Sequence, residues 1–351
     1  MKTGSTYIQS ILQANRATLA KHGLCYPDAT GEVGFAHHSV FTEMATSHGI
    51  SPSLRKYLAE IEASGLLGLI SSEMYIELPE DSLRLLQRSC RSQTMSVLYL
   101  RSAGAFLASV AQEEVKHGKS DFTKTHDAFG DYLRKVAADP ASNPRLQFSA
   151  MVEKAVRVFG RDRLALVSYE VERASGRDFA VSFLEQVIGV SASGIDLTTA
   201  YPNARVDLPT QEFNRLINGA VRACGEEPDV WLHTYLTASL TWKSLPWLGE
   251  MPRYAMKAAF DLEGAHARER RNLLAKYGDL FLGDDGSSLP DPARPLWIEW
   301  YNMTFFLHDN PDAWNDALAV ARRAIAFRDA TRAGRAWLSV LDSENAEITS
   351  D

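Results

Sequence analysis

Met95-Ser96-Val97-Leu98-Tyr99-Leu100 is a short apolar run that stops at Arg101. A run of this length and composition reads as a strand buried on both faces. Leu66-Leu67-Gly68-Leu69-Ile70-Ser71 and Leu164-Ala165-Leu166-Val167-Ser168 read the same way. Helical periodicity surrounds them, over about Ser5 to His22, Pro52 to Ala63, Glu80 to Arg91, Ala103 to His117, Lys124 to Ala138, Arg145 to Phe159 and Asp178 to Ile188. Short apolar strands alternating with helices predict an α/β fold, a parallel sheet flanked by helices. Gly23 ends the first helix; Leu24-Cys25-Tyr26-Pro27 and then a loop to about Ser51, rich in Gly and His, follow. After Pro209 strand signals become scarce. Helical stretches cover about Thr210 to Cys224, Asp229 to Lys243, His266 to Tyr277, Trp297 to Phe306 and Ala313 to Leu341. The expected organisation is therefore an α/β core over 1-190 and a mainly helical extension over 191-351.

Bulk properties narrow the function. The net charge of −7 gives no overall attraction for nucleic acid, so any anion site must be local. Cys25, Cys90 and Cys224 show neither metal-ligand spacing nor a disulfide framework, which suits a reducing cytoplasm. No metal is expected. No apolar run reaches membrane-spanning length and no signal peptide is visible, so a cytoplasmic protein is expected.

At the amino end, Lys2-Thr3-Gly4-Ser5-Thr6 opens an amphipathic helix whose apolar face carries Ile8, Ile11, Leu12 and Leu19. A helix N-terminus has unpaired N–H groups and a partial positive charge, so it favours anions. Gly4 permits close backbone approach, Lys2 adds a full charge, and Ser5 and Thr6 add hydroxyls. The stretch reads as a small phosphate or sulfate cradle. Such a loop normally follows a buried strand. The sequence begins one residue before Lys2, so either the start lies further upstream or the protein lacks that strand; in the second case the sheet is expected to contain an empty slot or a replacement strand, with Lys2 unanchored.

In an open parallel sheet, ligands sit beyond the carboxyl ends of the strands. Ser71-Ser72-Glu73 follows the first run, Arg101 the second, with Ser109 two turns into the next helix, and Tyr169-Glu170 the third. With the Lys2 loop, four strand ends are expected to converge on an anion pocket with an aromatic wall.

These residues resemble a known family. Lys2-Thr3-Gly4-Ser5-Thr6 is similar to the 5′-phosphosulfate loop of sulfotransferases that use 3′-phosphoadenylyl sulfate (PAPS). Arg101 followed by Ser109 resembles their 3′-phosphate motif, and Val167-Ser168-Tyr169-Glu170 resembles a later segment near the nucleotide. Asn15-Arg16, Gly23 with Tyr26-Pro27, the His37-His38 pair and Ser71-Ser72-Glu73 resemble bacterial members that sulfate carbohydrates. The resemblance covers roughly 1–190; Arg268 to Phe281 is a weaker match, and the late Arg-Lys-Gly loop of the cytosolic branch is not visible.

The resemblance implies a P-loop-like sulfotransferase fold and sulfuryl transfer from PAPS to an acceptor hydroxyl, on a carbohydrate or other small molecule. It implies that Lys2 stabilises the leaving phosphate, that Thr3, Gly4, Ser5 and Thr6 hold the 5′-phosphate, and that Arg101 and Ser109 hold the 3′-phosphate, near Tyr169. Glu73, His37 and His38 are the candidate bases. Two rivals stand beside this reading. A nucleoside-triphosphate phosphotransferase would place its lysine after the second glycine, not before it. A non-catalytic nucleotide- or carbohydrate-binding module would keep the fold without turnover.

Overall fold

The computed structural model describes residues 5–30, 32, 35–47, 49–90, 94–116, 118, 139, 146–198, 207–228, 230–238, 245–260, 262–282 and 296–332. Lys2, Thr3 and Gly4, the expected helix at Lys124 to Ala138 and the stretch beyond 332 lie outside these residues. By contact the chain divides into two units, each discontinuous in sequence. The first comprises 1–106, 143–204 and 263–294; the second comprises 107–142, 205–262 and 295–351. The boundary expected at 190 falls inside one segment of the first unit.

The first unit holds small parallel sheets flanked by helices. Helix α1 (Ser5–Ala14) leads into α2 (Arg16–Lys21) and strand β1 (Leu24–Cys25). Helices α3 (His38–Ser47) and α4 (Pro52–Ser64) follow, then β2 (Leu67–Gly68), α5 (Glu80–Ser89) and β3 (Ser96–Leu100). Helix α6 (Ala103–Lys116) leaves the unit. The chain returns in α7 (Phe148–Phe159), β4 (Leu164–Ser168), α8 (Tyr169–Ala174) and α9 (Phe179–Ser182), the last running on as a π-helical turn to Ile188. Strand β1 pairs with β2 in parallel, Leu24 opposite Leu67. Strands β3, β4 and a later β6 (Phe281–Leu282) form a second parallel sheet in that order, with Ser96 opposite Leu164 and Leu166 opposite Phe281. The expected strands at 95–100 and 164–168 are thus present. A core of Ile8, Leu12, Leu19, Leu24, Val167, Phe183, Leu184 and Val187 binds α1, β1, β4 and α9 together.

Four expectations need correction here. The helix expected from Ser5 to His22 breaks at Asn15. Its amide group donates to the carbonyls of Ile11 and Asp196, and its Oδ1 accepts from Asp196 N–H. An Asn side chain bonded to backbone in this way competes with helical pairing. The loop expected from Pro27 to about Ser51 contains α3, whose Val40, Phe41 and Met44 are buried at helical spacing. The expected buried strand at 66–71 pairs only over Leu67–Gly68, and Leu67 is 55% exposed. Gly68 is close-packed against α4: a Cβ there would come within 2.5 Å of Ile61 Cγ2. The fourth correction falls in the second unit.

The second unit contains α10 (Leu208–Ala223), α11 (Val230–Ala238), β5 (Ala255–Phe260), β7 (Leu296–Tyr301), α13 (Met303–Asp309) and α14 (Pro311–Arg332); α12 (Leu262–Tyr277) precedes β6. The segment expected as one helix, Trp297 to Phe306, is instead strand β7 followed by α13. Strand β7 pairs antiparallel with β5, which sequence periodicity missed. Leu296-Trp297-Ile298-Glu299-Trp300-Tyr301 is rich in aromatic and β-branched residues that favour a pleated surface. Lys257 and Glu299 sit directly opposite and pair at 3.0 Å. Phe213, Ile217, Tyr235, Trp247, Phe306 and Val320 are among its core residues. Within it, buried Arg215 bonds Glu212 at 2.6 Å and the Tyr301 carbonyl at 2.9 Å, fixing α10 to β7. Among the described residues no helix is long and apolar enough to cross a membrane.

Candidate functional site

All contacts described below lie in the first unit. Helix α1 is buried on Ile8, Ile11 and Leu12, but Gln9 and Ser10 are buried too. Buried polar groups need partners. Gln9 Nε2 donates to Ser71 Oγ at 3.0 Å, and Ser10 Oγ donates to the Tyr7 carbonyl at 2.8 Å. The polar side of α1 therefore faces the stretch after β2. At the start of that helix, Ser5 Oγ donates to Glu73 Oε2 at 3.0 Å. A carboxylate is favourable at a helix N-terminus, and the first turn of α1 carries no acidic residue of its own. Thr6 is the next residue on the helix and is half-buried.

The His37-His38 pair meets the same stretch. His37 is fully buried. Its N–H donates to the Ser71 carbonyl at 2.8 Å, and its Nδ1 accepts from Ser71 N–H at 3.1 Å. Nδ1 thus acts as an acceptor, which leaves the ring proton on Nε2, 3.2 Å from the Pro27 carbonyl. The ring is packed edge-on by Tyr26 and Tyr57, with centroids 4.7 and 4.6 Å away. Burial pushes this imidazole below its ordinary pKa, against the bond that Nε2 gives to the Pro27 carbonyl, which favours the charged form. Both ring nitrogens of His37 are spent on the backbone. His38 differs: it is half-buried, and its Nδ1 lies 2.8 Å from Ser72 Oγ, which also accepts from Met74 N–H at 3.1 Å. In the tautomer with Nδ1–H donating to Ser72, Nε2 keeps a lone pair for an incoming proton.

A second group forms where β3 and β4 end. The Arg101 guanidinium stands over the Tyr169 ring, 4.5 Å from its centroid. Tyr169 stacks on Phe179, with centroids 5.2 Å apart and planes 22° apart. Glu170 Oε1 accepts from Ser102 N–H at 2.7 Å, tying the two strand ends together. Register explains the meeting, because Leu100 is opposite Ser168 and the next residues of both strands emerge side by side.

The two groups are joined by residues that sequence reasoning did not single out. The Tyr7 hydroxyl, one turn into α1, donates to Asp178. Asp178 caps α9, accepting from Ala180 N–H at 2.8 Å and Val181 N–H at 3.2 Å. The following residue, Phe179, is the one stacked on Tyr169. A chain of contacts therefore runs from Ser5 and Tyr7 through Asp178 and Phe179 to Tyr169 and Arg101. An Asp immediately before an apolar helical pattern is an N-cap signal, so Asp178 was findable as a structural anchor. Its pairing with Tyr7 had no local signal.

Ser109 is half-buried on α6 and belongs to the second unit. Among the described residues no group of three or more His, Cys, Asp and Glu side chains is placed to hold a metal ion. Chemically, the first unit offers hydroxyl donors at a helix N-terminus, a carboxylate and an imidazole beside them, and a guanidinium braced on an aromatic ring. No family model, curated protein or solved structure matches the chain.

Proposed function

We propose that this chain is a cytoplasmic PAPS-dependent sulfotransferase of P-loop-like fold, acting on the hydroxyl of a carbohydrate or other small molecule. One observation carries the reading: the contact chain from the amino end of α1 to Arg101 through Tyr7, Asp178, Phe179 and Tyr169. It supports two anion-binding points that serve one nucleotide within the first unit.

The reaction needs a base, an in-line path and cations near the charge that develops. An acceptor O–H gives its proton to the base, its oxygen bonds to sulfur, and the bond from sulfur to the bridging phosphate oxygen breaks. Adenosine 3′,5′-bisphosphate leaves. Charge spreads over the sulfuryl oxygens and the leaving oxygen, so positioning and electrostatics dominate, as in phosphoryl transfer. Lys2 is assigned to the leaving phosphate, and Thr3, Gly4, Ser5 and Thr6 to the 5′-phosphate. Arg101 grips the 3′-phosphate with its planar fork while its face rests on Tyr169. Glu73 and His38 are the two bases the geometry favours. His37, with both nitrogens engaged, positions Ser71 rather than taking a proton.

Calorimetry with adenosine 3′,5′-bisphosphate and a transfer assay with PAPS test the reading together. Micromolar binding with turnover supports it. Binding without turnover on any sugar acceptor favours a nucleotide-binding module, and preference for ATP favours a phosphotransferase.

A further inference from the structure

Helices α1 and α9 meet at Asp178, whose two carboxylate oxygens serve different partners. Oδ1 caps α9, accepting from Ala180 N–H at 2.8 Å and Val181 N–H at 3.2 Å. Oδ2 accepts from the Tyr7 hydroxyl of α1. Burial, and then the Asp178 carboxylate, push the Tyr7 phenol upward, so its hydroxyl stays the proton donor of the pair. The carboxylate is thus engaged on one side within its own helix and on the other side across to α1.

Asp178 also stands at one end of a hairpin whose other end is Tyr169. Helix α8 runs from Tyr169 to Ala174, and α9 starts at Phe179. The turn between them is closely tied. Ser175 Oγ donates to the Glu172 carbonyl at 2.7 Å and accepts from Arg177 N–H at 3.2 Å. Gly176 takes φ +68°, a left-handed conformation that favours glycine. The first residues of the two helices meet as a result: Tyr169 stacks on Phe179 and holds Arg101 at its face. The direction of the Arg101 fork therefore depends on where the hairpin sits relative to α1. Apolar burial ties the two together further along, where Ile8 and Leu12 share a cluster with Phe183, Leu184 and Val187. Such burial has no preferred direction. The bond from Tyr7 to Asp178 is directional, and it acts at the residue next to Phe179.

We infer that Tyr7 and Asp178 are positioning residues that set selectivity for a nucleotide carrying phosphate at both ends. They fix the α8–α9 hairpin, and through Phe179 and Tyr169 the Arg101 fork, at one distance and direction from the amino end of α1. The inference rests on the nucleotide reading under Proposed function and deepens it. It assigns discrimination between adenosine 3′,5′-bisphosphate and adenosine 5′-monophosphate to two residues that hold each other rather than a phosphate. The physical reason is geometric. A bisphosphate engages both grips at once, so its affinity depends on the spacing between them. A monophosphate engages only the amino end of α1 and does not sense that spacing.

The test measures both nucleotides by calorimetry on the full chain and four variants. Tyr7→Phe keeps the ring and its packing and removes only the hydroxyl. Asp178→Ser keeps a helix-capping oxygen but is too short to reach Tyr7. Each is expected to weaken adenosine 3′,5′-bisphosphate by on the order of tenfold, part of the gain that two linked grips can supply, and to leave adenosine 5′-monophosphate within about twofold. In an Arg101→Ala background, adding Tyr7→Phe should change bisphosphate affinity little, because the grip it positions is already gone. Equal losses for both nucleotides in Tyr7→Phe and Asp178→Ser would show a merely structural bond and overturn the inference. So would an undiminished preference for the bisphosphate in both variants, or a full tenfold loss in the Arg101→Ala background; these outcomes leave the nucleotide reading standing. A parent chain that binds neither nucleotide, or both alike, would overturn that reading and the inference with it.

Discussion

Arg101 lies with its guanidinium 4.5 Å from the centre of the Tyr169 ring, so the cation at the end of β3 is held by the aromatic residue at the end of β4. The parallel register that puts Leu100 opposite Ser168 makes this pairing a consequence of backbone hydrogen bonding. Such a contact contributes ~0.5–2 kcal/mol, and it fixes the direction in which the guanidinium fork points.

Replacing Arg101 by Ala is expected to reduce PAPS-dependent transfer by on the order of 10²-fold, the effect of removing an anion contact of about 3 kcal/mol. Tyr169→Phe keeps the ring and should retain most of the affinity for adenosine 3′,5′-bisphosphate. Tyr169→Leu removes the ring and should weaken it. Calorimetry on the three variants checks this, and equal affinities in Phe and Leu variants would remove the ring from the site.

The base assignment divides between Glu73 and His38. If Glu73 takes the acceptor proton, Glu73→Gln lowers kcat by ~10²–10⁴-fold while His38→Gln changes it little. If His38 does, the outcomes exchange, and Ser72→Ala also lowers kcat because the imidazole loses its partner at 2.8 Å. Steady-state rates on the three variants decide the matter. Unchanged kcat in all three would exclude both residues.

His37 gives a stability signature that is independent of catalysis. Burial lowers its pKa below 6.5, so the folded protein holds it neutral while the unfolded chain protonates near pH 6.5. Stability is then fully present above pH 6.5 and declines as pH falls below it, with a slope approaching ~1.4 kcal/mol per pH unit for one proton. Denaturant midpoints measured from pH 7.5 to 5 should show this slope in the parent and a flatter one in His37→Gln. Parallel slopes would show that another group titrates.

The buried pair in the second unit offers a contrast. Glu212 and Arg215 are both inside, and burial pushes the Glu212 carboxyl upward against the pull of Arg215. Removing one partner leaves a buried charge alone, so Arg215→Met is expected to cost ~3–5 kcal/mol. The double change Glu212→Gln with Arg215→Met should recover much of that loss. Chemical denaturation measures both, and a mild single-variant effect would contradict the buried geometry.

The sequence made the strands at 96–100 and 164–168 legible because burial on both faces leaves an uninterrupted apolar run. It also pointed to the polar residues after them, since a strand end in a parallel sheet is fixed once the strand is. The meeting of His37 and His38 with Ser71 and Ser72 was anticipated only as membership of one site. Its hydrogen bonds depend on α3, which the His-rich loop concealed. Strands β5 and β7 were missed because their pairing joins segments separated by α12 and β6, and no turn motif links them. The exposure of Leu67 was illegible for a different reason: an apolar residue lining an open cavity looks, in sequence, like one facing a core.

Phe281 must reach Leu166 before the β3-β4-β6 sheet closes, whereas α10 and α11 lie between these two residues in the chain. During synthesis, helices of one unit leave the ribosome while the other still lacks its last strand. The three-stranded sheet of the first unit is thus completed only once residue 282 has been made. A nascent chain arrested near residue 260 should remain open to protease in both units.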